Sequence, residues 1–411
     1  MKLTDSNRLM LGTFLIGCVR QTWRALRLAI VILPALMFVG VMRIIRRVFI
    51  IRIAPATSSR IGHLIQNTLL YVVDRENEHM ATRFGYDIIF HESGNISNRY
   101  LVKMLRRFVN IWPAFFFSTV YNLNRKIPGG QIHSISTLNH LPDINGVLPE
   151  LGLLSFSQAE VSCGQDGLRR LGVEDNAKFV VLHVRDETYL RDPGRSVRNS
   201  NISDYLLAAE VLTQRGYYVI RVGVTAAKKI PGNNSKIIDY TFSGLRTEFM
   251  DLYLGGTCFM CIATGSGYDL IPYVFNRRIV FTNYAHLGYV NAHRGPDLLI
   301  LKKYRQKNTG KILTQSEIWD SGAAFGHQQF LDEHDIEVIP NSPEEIRDVV
   351  SEMLDRLEGN NDNLGISDDY QSRFWSLFYA WHAKKSEWKY ANTSRIKIGS
   401  QFLNDHPELL E

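Results

Sequence analysis

Cysteine is scarce in this 411-residue chain. The four cysteines, Cys18, Cys163, Cys258 and Cys261, are too few and too scattered to staple a fold. Cys258 and Cys261 have the spacing of half a zinc site, but no second pair completes it. They fall in an apolar run that reads as a buried strand with inert thiols, which suits a reducing compartment. Long apolar runs are also missing. Residues 28–42 carry no charge, yet as a helix they would reach only about 22 Å, short of the roughly 30 Å hydrocarbon core. Pro34 lies in the middle of that stretch and is expected to kink it.

Acidic residues are absent between Asp5 and Asp74, where nine arginines stand: Arg8, Arg20, Arg24, Arg27, Arg43, Arg46, Arg47, Arg52 and Arg60. Without them the chain has 38 basic against 41 acidic residues, so the formal charge of +6 belongs to the N-terminus. With no basic stripe elsewhere, nucleic acid is not an expected partner. Arg20, Arg24 and Arg27 share one helical face, and Arg43, Arg46 and Arg47 flank the other end of the apolar stretch. That pattern suits helices lying in, or dipping into, an anionic headgroup layer; a true span and a buried soluble helix are the alternatives. A cleavable signal peptide is disfavoured, because no small-residue cleavage site follows. The run from Arg106 to Phe117, with Trp112, Phe115 and Phe116, is either a second interfacial contact or a helix followed by a buried strand.

Among phosphate-binding signatures, the dinucleotide GxGxxG, the P-loop Gly-Lys-Ser/Thr and a strand-flanked DxD pair are all absent. No repeat of 20–50 residues and no low-complexity tract is present. What remains is alternation of strands and helices. Strands are expected at residues 48–54, 86–90, 178–184, 217–222, 236–240, 258–263 and 278–282. Helices are expected at 64–73, 98–109, 203–215, 245–253, 268–275 and 343–357, the last capped by Asn341 or Ser342. Such alternation implies α/β architecture with parallel sheets covered on both faces. The length points to two domains. The expected layout is an arginine-rich membrane-associating leader (1–47), an N-terminal Rossmann-like acceptor domain (48–165), a C-terminal Rossmann-like donor domain (166–345), and C-terminal helices (346–411).

Polar residues gather at expected strand ends. Thr264-Gly-Ser-Gly267 joins a strand to a helix, so Gly265, Ser266 and Gly267 are candidates to cradle an anion, with a tight structural turn as the plain alternative. His183-Val-Arg185-Asp186 ends another strand, with His183 and Arg185 on one face. A guanidinium there could bind phosphate and stabilise charge on a departing diphosphate. Arg195, Arg198 and Asn199 follow and could close over a ligand. Arg221 and Gly223 end the next strand, and Asn283 and Tyr284 hold the same position after another. In the N-terminal half, Arg60-Ile-Gly62-His63 opens a helix; His63 is the preferred general base, with Asp87, Glu92 and Asp143 behind it.

The combination Ser59-Arg-Ile-Gly-His63, His183-Val-Arg-Asp186, Arg198-Asn-Ser200, Gly216–Gly223, Gly265-Ser-Gly267 with Ile271-Pro272, Leu313–Glu317 and Arg395–Gly399 resembles a family of bacterial glycosyltransferases from polysaccharide and lipopolysaccharide loci. The resemblance runs from about residue 48 to the C-terminus. More distantly, His-x-Arg after a strand is similar to the motif of fucosyltransferases of the two-domain GT-B fold. The resemblance implies two doubly wound domains facing a cleft, and a nucleotide-sugar donor whose diphosphate Arg185 engages. It also implies no resident cofactor or metal, and a C-terminal stretch packed back across the first domain. With the leader it implies a lipid-linked or growing polysaccharide acceptor at the cytoplasmic face of the bacterial inner membrane, held peripherally or monotopically. A nucleotide-sugar epimerase of the same fold and a non-catalytic scaffold of a polysaccharide assembly complex are the rivals. A nicotinamide oxidoreductase is disfavoured by the missing fingerprint.

Overall fold

The computed structural model describes residues 30–78, 85–92, 94–135, 143, 146–188, 197–290, 297–360, 368–385 and 395–411. Arg195 and the leader before residue 30 therefore lie outside the described residues. The chain divides into two compact units: residues 1–97 with 102–140, and residues 98–101 with 141–411. The second unit thus begins earlier than the sequence expectation of 166, and it includes the C-terminal helices.

In the first unit, three parallel strands, β1 (Ile50–Ala56), β2 (Gly85–His91) and β3 (Ile111–Trp112), lie in the order β1-β2-β3. A single parallel bridge from Ile53 to Ser134 adds to the other side of β1. Among the described residues this sheet therefore grows mainly in one direction, a smaller arrangement than the expected doubly wound domain. Arg52 and Asp87 face each other in register across β1 and β2 and form a two-pronged ion pair, each contact 2.8 Å; the Tyr71 hydroxyl also donates to Asp87.

The helix at 30–45 continues on both sides of Pro34 and is part of this unit's core. Ala35, Val39 and Met42 bury against Ile53, Ile88, Phe90 and Val120, with Phe38, Phe116 and Phe117 packed alongside. Its opposite face is apolar too: Ile30, Leu33, Met37, Val41 and Ile44 are exposed, Ile44 by 80%. Arg43 turns inward, donating to the Asn124 side chain and to the carbonyls of Ile127 and Pro128. It caps the end of the helix Ala114–Lys126, so only Arg46 and Arg47 of that cluster are exposed. The helix Arg99–Leu105 is followed by the two-residue strand β3, in the order of the plain alternative, but from Ala114 the aromatic run is a further helix; Trp112 and Phe115 remain exposed.

The second unit holds a seven-stranded, wholly parallel sheet. Its members are β4 (Phe179–His183), β5 (Tyr218–Arg221), β6 (Ile237–Asp239), β7 (Met260–Ala263), β8 (Arg278–Tyr284), β9 (Leu298–Leu301) and, far along the chain, β12 (Lys397–Ile398). The order is β12-β9-β8-β7-β4-β5-β6. Central strands such as Phe179-Val-Val-Leu are buried along their length, as expected when both sheet faces are covered. A separate antiparallel pair joins β10 (Lys303–Gln306) to β11 (Ile336–Ile339). Cys261 lies in β7, whereas Cys258 caps the preceding helix; both are buried and neither is in a disulfide, and burial pushes Cys258 up to about 12.

The C-terminal segment belongs to the second unit. The Gln371 side chain bonds the backbone of Ile398, Arg373 donates to Leu410 O, and Ser316 N donates to Glu411 O. No described helix is long and apolar enough to cross a membrane.

Candidate functional site

From β4 the chain winds outward through β5 and β6, then returns to the other side of β4 with β7 and winds away through β8 and β9. The sheet therefore reverses its winding between β4 and β7, whose last residues, His183 and Ala263, are register partners. Crossovers on either side of such a switch point leave opposite faces, opening a crevice at the carboxyl ends of the two strands. Arg185 and Gly265 each stand two residues beyond those ends. The sequence placed both there, and the topology brings them together.

Gly265 has φ +71°, and a Cβ on it would lie 2.8 Å from the Tyr284 ring, so the turn requires glycine. Ser266 caps a single 3-10 turn, Gly267–Asp269: its Oγ accepts from Tyr268 N, while Asp269 accepts from Ser266 N. The N–H groups of Ser266 and Tyr268 are thus used within the turn, and a buried carboxylate sits at its start. Anion binding by this backbone is weakened accordingly, and the helix beyond, Leu270–Val274, is only five residues long. Nδ1 of His183 lies 3.2 Å from Ser266 Oγ and 3.8 Å from Asp269, and the ring stacks on Tyr268 at 4.8 Å. Burial, then the charges of Arg221 and Arg185, lower its pKa to about 4, so His183 is neutral near pH 7.

Arg185 is buried; its N–H donates to Thr264 Oγ1 at 3.1 Å, and its carbonyl accepts from Ser200 N. Arg198 is half-buried and donates to Gly265 O, so the segment after β4 is tied to the turn after β7. Asn199 contributes its carbonyl, which accepts from Lys302 Nζ at 2.6 Å.

Other candidates are engaged in holding the structure. Asp186 accepts from Thr188 N, Thr188 Oγ1 and Ala227 N. Burial opposes its ionisation, but those hydrogen bonds and Arg221 prevail and hold its carboxyl below the usual range. Arg221, 1% exposed, sits between Asp186 and Asp239 and donates to Lys228 O. Gly223 has φ +154°, a conformation costly for other residues. Asn283 and Asn341 exchange backbone-to-side-chain bonds, and Asn283 Nδ2 also donates to Tyr205, so both ends of the Asn283 amide are occupied. Tyr284 donates to Tyr289 O.

In the first unit, Arg60 is exposed just before the helix Ile61–Glu78, in which Gly62 and His63 are half-buried in the first turn. Of the reserve bases, Asp87 is committed to Arg52 and Tyr71. Asp143 accepts from Val147 N, Leu148 N and Tyr273 OH.

Two residues not singled out in the sequence stand at the same sheet edge. Lys302 follows β9 directly, 4% exposed, and donates to the carbonyls of Val197 and Asn199. His286 follows β8 by two residues, 3% exposed, in a left-handed conformation with φ +65°. The signal for Lys302 was the one that revealed Arg185, a cation ending an apolar strand, but Leu298–Leu301 is only four residues long. Among the described residues no group of three or more His, Cys, Asp or Glu side chains is arranged to hold a metal ion.

Comparison with protein-family models gave no match, and comparison with curated proteins gave no relative. Among solved structures, this chain is similar to the ADP-heptose LPS heptosyltransferase II of E. coli, with 13% identity and a TM-score of 0.41 over 76% of this chain and 100% of that one. It is also similar to a glycosyl transferase family 9 protein of Veillonella parvula, with 12% identity and a TM-score of 0.35 over 57% of this chain and 80% of that one. Neither likeness is close enough to assign a fold or an activity.

Proposed function

We propose that this chain is a glycosyltransferase of GT-B type, moving a sugar from a nucleotide-sugar donor to a lipid-linked or growing polysaccharide acceptor. The observation that carries this reading is the placement of Arg185 and Arg198 at the switch point of a seven-stranded parallel sheet, the position where such sheets bind nucleotides. In this reading their guanidiniums meet the charge that develops on the departing nucleoside diphosphate. His63 is the residue proposed to take the acceptor proton if the reaction inverts. No resident cofactor is invoked.

The acceptor's setting is read from the helix at 30–45, which is apolar on two opposite faces. One is buried, and the other, with Trp112 and Phe115, is exposed in the same unit as Arg46 and Arg47. This supports peripheral or monotopic attachment to an anionic membrane surface, on its cytoplasmic side.

The test is a thermal-shift panel of nucleoside mono- and diphosphates on the full chain, beside Arg185→Ala. Stabilisation by one nucleotide, lost in the variant, supports a donor site and identifies the nucleotide class. With the matching sugar donor, Arg185→Ala should slow turnover by at least about 10²-fold. No shift with any nucleotide, in a folded sample, would favour the scaffold reading.

A further inference from the structure

Four adjacent strands, β9, β8, β7 and β4, end at one edge of the second unit's sheet. Within two residues of those ends stand Lys302, His286, Gly265 and Arg185. Lys302 Nζ holds the carbonyls of Val197 and Asn199, and the residue between them, Arg198, reaches Gly265 O. Three basic side chains, Arg185, Arg198 and Lys302, therefore belong to one sheet edge. Burial, then the neighbouring Arg185, lower Lys302 to about 8 against the opposite effect of the half-buried Asp204. Lys302 is 4% exposed and carries its charge against the cost of burial, a setting that a bound anion would relieve.

His286 is the second, independent sign of a missing ligand. Both its ring nitrogens are buried with no hydrogen-bond partner, although imidazole nitrogens in protein interiors are ordinarily satisfied. Among the described residues its ring pairs with His327 at 5.2 Å, which is exposed, and Tyr289 at 5.7 Å. Its backbone is held by Tyr304, whose hydroxyl accepts from His286 N at 3.2 Å. Burial, then the charges of Arg198, His327, Arg185 and Lys302, lower its pKa to about 3. A neutral imidazole offers one N–H to an anion at no cost in added charge. The left-handed backbone, costly for a histidine, is maintained at the position where the ring is presented.

We propose that Arg185, Arg198, Lys302 and His286 form one binding site for a phosphate-bearing group, with His286 donating a hydrogen bond directly to the phosphate oxygens. The inference deepens the nucleotide-sugar reading and rests on it for the rest of the ligand. Lys302 acts as a positioning residue, fixing the segment that carries Arg198.

The probe is inorganic pyrophosphate, titrated calorimetrically into the full-length protein at low salt, beside His286→Gly, His286→Asn and Lys302→Met. Glycine adopts the left-handed conformation without strain, so His286→Gly removes the ring while sparing the backbone. Asparagine also tolerates that conformation and keeps an N–H donor. Expected are a rise in Kd of about 5-fold or more for His286→Gly, typical of losing one hydrogen bond to a charged group, and partial rescue in His286→Asn. In the wild type, addition of pyrophosphate should also shift the His286 ring nitrogen resonances. Unchanged affinity in a folded His286→Gly variant, or no pyrophosphate binding by the wild type, would overturn the site. Nucleotide binding that depends on Arg185 but not on His286 would sink this inference and leave the glycosyltransferase reading standing. Binding of pyrophosphate through His286 with no nucleotide bound would do the reverse.

Discussion

At the scale of single residues, the second unit holds several ionisable side chains in states that water would not choose. His382 is an example away from the proposed site, packed among Phe378, Trp319 and Trp381, with burial lowering its pKa to about 4. The unfolded chain protonates this group below about pH 6.5, while the folded chain does not until about pH 4. Stability from this residue is therefore present above pH 6.5 and lost as the pH falls toward 4; His183 and His286 act with the same sign. His406, raised by its bond to Glu345 against the effect of burial, acts with the opposite sign. We expect urea-unfolding free energies to decline between pH 6.5 and 4.5, and His382→Phe to flatten that decline. An unchanged slope in the variant would show that His382 is not the group being titrated. Gly265→Ala tests the turn: with φ +71° and the Tyr284 ring 2.8 Å from the new Cβ, a loss of about 1–3 kcal/mol is expected from thermal unfolding.

Between elements, the contact of the helices Gln158–Arg170 and Glu248–Thr257 depends on two glycines. A Cβ on Gly164 would fall 2.2 Å from the Tyr253 ring, and one on Gly167 2.3 Å from the Met250 sulfur. Met250 is flexible and can give way; the tyrosine ring can do so less easily. Gly164→Ala should then cost more than Gly167→Ala, by about 1–3 kcal/mol of overpacking. Equal melting temperatures for the two variants would contradict that ranking. The sequence revealed the partners of this contact only in part. The second helix was legible from its apolar periodicity, but the first, despite the Ser157–Glu160 capping box, was hidden by a polar composition. The same limit applied to the sheet. β1, β2 and β4 to β8 were read within a few positions, whereas β9, β10 and β11, of four residues each, were not, and β3 and β12 have two residues each and owe their existence to neighbours. At the site, cations ending long strands were visible. His286 was not, because what marks it is burial without a partner, a tertiary property. Asn283 misled for the complementary reason: a polar residue at a strand end is also what a structural lock needs, and its amide is spent on Asn341 and Tyr205.

For the whole molecule, the exposed stripe of the first unit's helix at 30–45 should govern where the protein resides without governing whether it folds. Met37→Asp with Ile44→Asp places two charges on the exposed stripe and leaves Ala35, Val39 and Met42 in the core. Co-sedimentation with anionic vesicles should fall several-fold, while thermal unfolding stays within about 1 kcal/mol of the parent, as for surface substitutions generally. Undiminished sedimentation would count against membrane attachment through this stripe. The last strand has a consequence of a different kind. β12 adds to β9 as an outermost member of the seven-stranded sheet, yet it is encoded at residues 397–398 of a 411-residue chain. During synthesis, the edge of Leu298-Leu-Ile-Leu301 must wait for nearly a hundred further residues before its own partner emerges. An open apolar edge of this kind is a template for pairing with another chain. A nascent chain stalled or truncated before residue 396 would present it, which makes the final stretch a guard against aggregation on the ribosome as well as a piece of the fold.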